Sequence, residues 1–265
     1  MNRSEQSSLK AAIALDDLSI GYKHKPLFKP FSLKIESGTF NVIIGANGSG
    51  KSTLLQTITG NLEPVQGTVY IDSKDISSLN QKEKARMISL VYTERIISGG
   101  LTVKETVSMG RHPYTGLLGR LSKDDMQIVS NAMEQVGISH KADCFLSDIS
   151  DGERQKAMIA RALAQNTPVL MLDEPTNFLD VASKLSVFNL VRRLTDDHGI
   201  TVLLSTHDTE TALEMADNIL TIIPADDTPV AINKAGSNEA NERLFKVFAD
   251  RNITFNPLDN TFRLK

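Results

Sequence analysis

Apolar residues follow two different periods along this chain, and the changes of period predict its elements. Residues 12–22 and 29–36 alternate between apolar and polar positions on either side of a polar turn, which predicts two antiparallel strands. Residues 40–44 are continuously apolar and partly β-branched, as in a buried strand, and a helix is predicted from Thr53. Shorter patterns beyond them predict strands at 67–72 and 88–92 and a helix at 80–87.

The period becomes helical between about Thr102 and Ala164. In this block, apolar positions of 124–136 recur near the helical period, and another helix is predicted from near Asp151 to Gln165. Strands and helices then alternate again, with strands at 169–172, 200–205 and 218–223 and helices at 181–197 and 209–216. This order predicts an α/β fold with a mixed, mainly parallel sheet, an antiparallel β subdomain, and an inserted α-helical subdomain at about 95–165.

The chain changes character after Pro224. Residues 224–238 are polar and predict a loop, whereas 242–248 predict a short amphipathic helix. Two short apolar stretches, 253–255 and 261–264, lie on either side of a turn-forming segment and predict a hairpin.

Composition narrows the possible functions. A formal net charge of −3 argues against a nucleic-acid binder, which would need basic residues to neutralise phosphates. Cys144 is the single cysteine, so the chain has no internal disulfide framework, as expected in a reducing compartment. No apolar run approaches the roughly 20 residues that span a bilayer. We therefore expect any membrane role to depend on a partner protein.

One segment points to a phosphate ligand. Residues 45–52 match G-x-x-x-x-G-K-[ST] at every required position and lie between a predicted strand and a predicted helix, as the motif requires. Glycines let successive N–H groups face the phosphates, and the helix N-terminus adds partial positive charge. Lys51 is placed for the β- and γ-phosphates and the Ser52 hydroxyl for Mg²⁺. The predicted nucleotide-binding residues here are Gly45, Ala46, Asn47, Gly48, Ser49, Gly50, Lys51, Ser52 and Thr53.

Acidic residues follow the apolar strand 169–172. A carboxylate at the end of such a strand, beside the phosphate-binding loop, can coordinate Mg²⁺, and we assign Asp173 to the metal. Glu174 is placed to polarise the water that attacks the γ-phosphorus. His207 follows another apolar strand, where an imidazole can hydrogen-bond the γ-phosphate.

The start of the helix near Asp151 supports two interpretations. Ser150, with Glu153 three residues later, has the pattern of a capping box. The same helix N-terminus can present the Ser150 hydroxyl and the Gly152 N–H to an anion.

In this order, these motifs resemble those of the ATP-binding subunit of an ABC transporter. The resemblance covers about 13–223, with 1–12 as an N-terminal extension and 224–265 as a C-terminal tail. It implies a P-loop NTPase core that binds ATP with Mg²⁺ and hydrolyses ATP. The motifs that carry it are the loop 45–52, the segment 150–155, Asp173-Glu174-Pro175, the loop 176–180 and His207.

The resemblance also implies a homodimer in which two subunits pack head to tail. Ser150 and Gly152 of one subunit would then contact the γ-phosphate held by Lys51 of the other. Asp180 would couple the two sites, and Tyr22 would stack on adenine, a contact that aromatic rings make readily. The implied signature residues are Ser150, Asp151, Gly152 and Glu153.

Two positions depart from the family pattern. Asp151 stands where the family usually has a second glycine, and a carboxylate there would repel a γ-phosphate unless it is turned away. Glu94 stands where the family has a glutamine that reaches the metal and the attacking water. A carboxylate at Glu94 can still bind Mg²⁺ through water, so we expect activity and assign Glu94 to metal binding and coupling.

The segment 110–121 and the signature 150–156 resemble those of importers of iron–siderophore complexes, haem and cobalamin. This branch implies integral membrane permease subunits as partners, a substrate-binding protein as an indirect partner, and no nucleic acid. It also implies a location at the cytoplasmic face of the bacterial inner membrane, held there by the permease.

Three other functions stay open. A non-transport ABC ATPase acting on ribosomes or DNA usually has two ATPase units or a long coiled coil, and this chain shows neither pattern. A P-loop kinase or a GTPase lacks the signature helix, and the guanine-reading Asn-Lys-x-Asp is absent here. A degenerate subunit that binds ATP without hydrolysing it would account for Asp151 and Glu94, but Glu174 and His207 argue against it.

Overall fold

The protein is described from a computed structural model that covers residues 10–92, 100–116, 119–248, 253–256 and 261–264. Its strands are β1 Ala11–Ser19, β2 Gly21–Tyr22, β3 Lys25–Pro26, β4 Phe31–Glu36, β5 Phe40–Gly45, β6 Gln66–Ile71, β7 Lys74–Asp75, β8 Ile88–Val91, β9 Val169–Asp173, β10 Thr201–Ser205, β11 Asn218–Ile222, β12 Val230–Lys234, β13 Ile253–Asn256 and β14 Thr261–Leu264. Its α-helices are α1 Lys51–Ile58, α2 Gln81–Lys84, α3 Val103–Ser108, α4 Lys123–Gln135, α5 Asp151–Ala164, α6 Val181–His198, α7 Thr209–Met215 and α8 Asn238–Phe248.

A six-stranded sheet forms the centre of the fold, with the strand order β12-β11-β5-β10-β9-β8. All neighbours from β11 to β8 are parallel, and only β12 runs antiparallel. Every residue of β5, β9 and β10 is buried, as expected for parallel strands covered on both faces. The register pairs Ser205 with both Ile43 and Asp173, so the carboxyl ends of β5, β9 and β10 lie at one edge.

The antiparallel sheet β4-β1-β6-β7 packs against one face of the central sheet. The strand β4 alternates strictly between buried and exposed residues, so its apolar side faces the interior. Ile13 and Ile35 of this sheet share one apolar cluster with Ile43 of β5 and Leu54 of α1. The predicted antiparallel pair is confirmed, although it ends at Ser19, and the β2–β3 ribbon follows it.

Helices α3, α4 and α5 pack on one another and form the inserted helical subdomain. Each begins with a capping box, in which a Thr or Ser side chain and an acidic side chain three residues later satisfy the free N–H groups. The apolar faces of these helices join the larger apolar cluster, which also contains Phe40 and Phe188. Among the described residues, no helix combines the length and the apolar character needed to cross a bilayer.

The prediction of a loop over 224–238 was wrong, because Val230–Lys234 forms β12 at the edge of the central sheet. The pattern is weak because only Val230 of this edge strand is fully buried, and pairing with β11 stabilises the strand instead. The predicted tail helix begins earlier, at Asn238, and the predicted hairpin is confirmed as β13 and β14. The predicted helix over 80–87 extends only over Gln81–Lys84.

Candidate functional site

The loop between β5 and α1 has the backbone conformation that its glycines allow. Gly48 and Gly50 have φ angles of 75° and 104°, in the left-handed region that side chains disfavour. Gly45 is required for a different reason, because a Cβ atom there would lie 2.5 Å from Ser49 Oγ. The helix α1 starts at Lys51, two residues before the predicted start, so its free N–H groups point into the loop.

Two polar side chains of this loop, Lys51 and Ser49, are buried. Lys51 is only 6% exposed, and its Nζ atom donates to the Gly45 carbonyl oxygen at 3.1 Å. The Ser49 hydroxyl is buried and has no hydrogen-bond partner among the described residues. An ammonium group, a buried hydroxyl and a helix N-terminus together form a donor set that suits a phosphate group.

The strand end of β9 is tied to that of β10 through Ser205. The buried Ser205 hydroxyl donates to Asp173 Oδ1 at 2.6 Å and accepts a hydrogen bond from the Glu174 N–H at 3.0 Å. The Ser205 carbonyl oxygen accepts from the same N–H at 3.0 Å. These bonds hold two consecutive carboxylates at the edge of the sheet, and the Asp173 residue is 7% exposed.

Glu174 contacts two further side chains. Its Oε1 atom lies 2.8 Å from His207 Nε2, and its Oε2 atom accepts a hydrogen bond from Asn177 Nδ2 at 2.5 Å. Glu174 has a φ angle of 51°, which is unfavourable for a residue with a side chain. The direction of the Glu174 carboxylate is therefore set by its contacts with His207 and Asn177, and not by a favourable backbone conformation.

Lys51, Glu174 and His207 line one cleft of about 380 Å³, whereas Asp173 lies behind its lining residues. Tyr22 lies at its side, half exposed, with its hydroxyl 3.2 Å from Thr53 Oγ1. Of the predicted nucleotide-binding residues, Gly45, Ala46 and Ser49 belong to the loop itself and do not line the cleft. The lining residues are Tyr22, Leu27, Asn47, Gly48, Gly50, Lys51, Ser52, Thr53, Glu174 and His207.

The signature residues lie elsewhere, at the start of α5, and none of them lines this cleft. The predicted capping box is confirmed: Glu153 N–H donates to Ser150 Oγ at 3.2 Å, and Ser150 N–H donates to Glu153 Oε2 at 3.0 Å. The bond from the Ser150 backbone holds the pKa of Glu153 below its usual range. The Asp151 carboxylate forms an ion pair with Arg154, which turns its charge toward its own helix.

Asp180 caps the neighbouring helix α6. Its Oδ1 atom accepts from the Ser183 N–H at 2.8 Å, and this bond lowers the pKa of the carboxyl. A Cβ atom at Gly152 would lie 2.8 Å from Ser183 Oγ, so the starts of α5 and α6 meet closely. Phe178 and Val181, on either side of Asp180, are each 74% exposed. Glu94 lies outside the residues that the structure describes.

Sequence reasoning missed Ser205, Asn177 and Leu27. Ser205 ends a buried strand, and a polar residue there is a detectable signal, but its partner depends on β9 lying beside β10. Asn177 follows Glu174 by three residues in a turn, a spacing that was visible but is common in loops. Leu27 carried no signal, since an exposed leucine in a short ribbon is ordinary.

Comparison with known proteins identifies the family. A family model described as ABC transporter matches residues 28–177, more than half of the chain. An uncharacterized ABC transporter ATP-binding protein of Methanocaldococcus jannaschii is 42% identical over 207 residues, which cover 78% of this chain and 71% of that relative. A ferric enterobactin transport ATP-binding protein of Escherichia coli is 36% identical over 207 residues, which cover 78% of this chain and 76% of that relative.

A solved structure agrees with this result. A dimeric ATP-binding cassette bound to ADP and phosphate is 28% identical to this chain, with a TM-score of 0.71, and the match covers 84% of this chain and 98% of that structure. The chain belongs to the ABC transporter family and is an ATP-binding subunit that hydrolyses ATP to power transport.

Proposed function

We propose that two copies of this chain form a homodimer that drives a membrane importer of iron–siderophore complexes. The importer assignment is supported by the relative in Escherichia coli whose name specifies ferric enterobactin transport. Among the cargoes that the segment 110–121 suggested, this relative favours an iron chelate over haem and cobalamin. The partners would be permease subunits and, through them, a substrate-binding protein, at the cytoplasmic face of a bacterial inner membrane.

The observation that carries the ATPase mechanism is the cleft that brings Tyr22, the phosphate-binding loop, Glu174 and His207 together. In this cleft, Lys51 and the loop N–H groups bind the β- and γ-phosphates. Tyr22 stacks on adenine at the open side, and the hydrogen bond between its hydroxyl and that of Thr53 fixes the tyrosine relative to α1. These contacts set the position of the γ-phosphorus before hydrolysis begins.

Ser52 and Asp173 fit a magnesium ion bound together with ATP. No group of three or more His, Cys, Asp and Glu in the described ranges could hold a metal by itself. The pair of Ser52 and Asp173 suits Mg²⁺, which in nucleotide sites takes one or two carboxylates and completes its coordination shell with phosphate oxygens and water. When bound, the ion neutralises charge on the phosphates. Asp173 is held for this role by the hydrogen bond from Ser205 at 2.6 Å.

Glu174 is the proposed general base. It takes a proton from water as the water oxygen bonds to the γ-phosphorus and the bond to the β–γ bridging oxygen breaks, giving ADP and phosphate. The contact of 2.8 Å with His207 Nε2 orients one carboxylate oxygen and keeps the imidazole beside the γ-phosphate position. This intact pair is the reason to prefer a hydrolysing subunit over a degenerate one.

The signature residues act in the partner's site. They lie outside the chain's own cleft, so they meet a nucleotide only when a second copy packs head to tail. The ion pair of Asp151 with Arg154 reduces the repulsion that the Asp151 carboxylate would exert on a γ-phosphate. In this dimer, Asp180 and its exposed neighbours Phe178 and Val181 lie beside the signature residues and face the partner subunit. Each nucleotide site is thereby coupled to the other.

The test is steady-state ATPase activity as a function of protein concentration, with and without the permease. Activity should rise more than linearly with concentration, because each site needs a second subunit. Glu174→Gln should lose at least about 100-fold in kcat, since general bases contribute roughly 10²–10⁴-fold, while ATP binding survives. Glu214→Gln, an exposed glutamate on α7, is the matched control and should keep wild-type activity.

A wild-type protein that binds ATP but stays inactive with its permease would refute the hydrolytic mechanism. The cargo is tested separately, by ATP-dependent uptake of a ferric siderophore into proteoliposomes that contain the complex. Uptake of haem or cobalamin but not of the iron complex would overturn the cargo and leave the ATPase intact.

A further inference from the structure

The segment 110–114, on which the importer resemblance partly rested, lies outside the cleft and connects several elements. It belongs to a 3₁₀ helix, Met109–Tyr114, that directly follows α3. Tyr114 is partly buried, and Arg111 is only 5% exposed although it carries a charge. A buried arginine is stable only where its donors are satisfied, so its partners reveal what the segment holds.

Two guanidinium groups lie over the ring of Tyr114. The Cζ atom of Arg111 is 3.9 Å from the ring centroid, and that of Arg86 is 4.9 Å from it, both within the range of cation–π attraction. Arg86 is fixed in turn by donating to the Pro113 carbonyl oxygen from Nε at 3.2 Å and from Nη2 at 2.9 Å. We call Arg86, Arg111 and Tyr114 the tyrosine clamp.

The clamp holds the carboxyl end of α5. Tyr114 Oη donates to the Gln165 carbonyl oxygen at 2.9 Å, and Arg111 Nη1 donates to the Ala164 carbonyl oxygen at 2.8 Å. Carbonyls at this end of a helix lack partners within the helix, and a positive charge there is favourable. Gly110 allows the close approach, because a Cβ atom there would lie 2.2 Å from the Arg161 carbonyl oxygen.

The same helix end is fastened to the central sheet. Gln165 Nε2 donates to the carbonyl oxygens of Ala85 at 2.5 Å and Ile88 at 2.8 Å, and Ile88 begins β8. Arg86 lies in the same segment before β8, between Ala85 and Ile88. Arg111 contacts α4 instead, by donating to Asp125 Oδ1 at 2.8 Å. The clamp thus joins the sheet, α4 and α5 at one point.

We propose that Tyr114 is a positioning residue for ATP hydrolysis, acting through α5 on the signature residues at its other end. This inference rests on the proposed head-to-tail dimer. α5 has 14 residues and so is roughly 21 Å long, and a tilt of about 3° at its clamped end moves its start by about 1 Å. A misplacement of that size costs up to about 100-fold in rate.

The experiment compares Tyr114→Phe, which removes only the hydroxyl, with Tyr114→Leu, which also removes the stacking. Tyr70→Phe, at a partly buried tyrosine in the antiparallel sheet, is the matched control. We expect kcat per folded protein to fall about fivefold in Tyr114→Phe and at least tenfold in Tyr114→Leu. ATP affinity of the monomer should stay within twofold of wild type, because Tyr114 does not line the cleft.

A purely structural role gives a different result. It would lower the thermal midpoint while leaving kcat per folded molecule unchanged well below that midpoint. Wild-type kcat in both Tyr114 variants, with an active wild type, would overturn the inference and leave the proposed function standing. An inactive wild type that forms no dimer with ATP would overturn the proposed function and the inference together.

Discussion

Ser205→Ala should slow ATP hydrolysis, although Ser205 is not one of the predicted site residues. The substitution removes one hydroxyl group from a fully buried strand end and leaves the backbone of β10 unchanged. It eliminates the bond of 2.6 Å to Asp173 Oδ1 and one of the two bonds that the Glu174 N–H makes. Both carboxylates of the site lose part of their support at once.

The expected size follows from these contacts. A hydrogen bond to a charged group contributes ~1.5–3 kcal/mol, so we take about 2 kcal/mol for the bond to Asp173. If all of it is expressed in the transition state, kcat falls about 30-fold, since each ~1.4 kcal/mol is tenfold in rate. The backbone bond from Glu174 to the Ser205 carbonyl oxygen remains at 3.0 Å, so we expect a loss of about 10- to 30-fold.

The assay measures kcat and KM for ATP together with the thermal midpoint. Ser89→Ala is the matched control, because Ser89 is also a buried strand serine but bonds Val169 and Thr167 instead of the two carboxylates. Its hydroxyl accepts a hydrogen bond from Thr167 Oγ1 at 3.0 Å, so the control also loses a buried bond. Both variants should lose stability, and only Ser205→Ala should lose kcat.

Equal kcat values in Ser205→Ala and Ser89→Ala would refute this reasoning. In that case the serine would stabilise the strand pair without orienting the carboxylates. A rise in KM for ATP with an unchanged kcat would also contradict it, because the lost bonds support the metal ligand and the base and not the nucleotide.

Three further predictions concern other parts of the molecule. Tyr22→Ala should raise the Kd for ATP by about 5- to 100-fold in calorimetric titration, since stacking on a base contributes ~1–3 kcal/mol, whereas Tyr22→Phe should stay within threefold. Hydrogen bonds from the Ser122 side chain and backbone, together with Arg111, lower the pKa of Asp125 to about 2, so its ionised form stabilises the fold above about pH 4. The difference in thermal midpoint between wild type and Asp125→Asn should therefore narrow as pH falls from 4 toward 2. A constant difference would contradict this. Arg243→Met should lower the free energy of unfolding by about 3 kcal/mol in urea titration. The reason is that the buried guanidinium donates hydrogen bonds to Thr221 Oγ1 and to the Thr228 carbonyl oxygen at 2.8 Å each. An unchanged free energy of unfolding would show that these bonds contribute nothing net.

The sequence predicted those parts of the site that a short segment encodes. The loop 45–52 carries its own geometry, because Gly48 and Gly50 supply the left-handed backbone that the turn requires. The capping box of Ser150 and Glu153 is equally local and is confirmed. In both cases, neighbouring residues in the chain make the contacts that matter.

Elements that depend on distant pairing could not be predicted in this way. The strand β12 exists because β11 offers it an edge, and its own alternation is too weak to indicate it. Ser205 joins the site because β10 lies beside β9 with Ser205 opposite Asp173, a register that depends on the order of all six strands. The contacts beside the tyrosine clamp likewise join distant residues, such as Gln165 and Ala85, which are 80 positions apart.

The turn after β9 shows why this non-local pairing matters for the chemistry. Glu174 and Phe178 have φ angles of 51° and 66°, and neither is a glycine. Each such residue costs on the order of 1–3 kcal/mol, so the segment would relax without outside support. That support comes from β10, through the bonds of Ser205 to Asp173 and Glu174, and from His207, which follows the same strand. The direction of the Glu174 carboxylate is therefore set by the neighbouring strand, and a change at that strand moves the base without touching it.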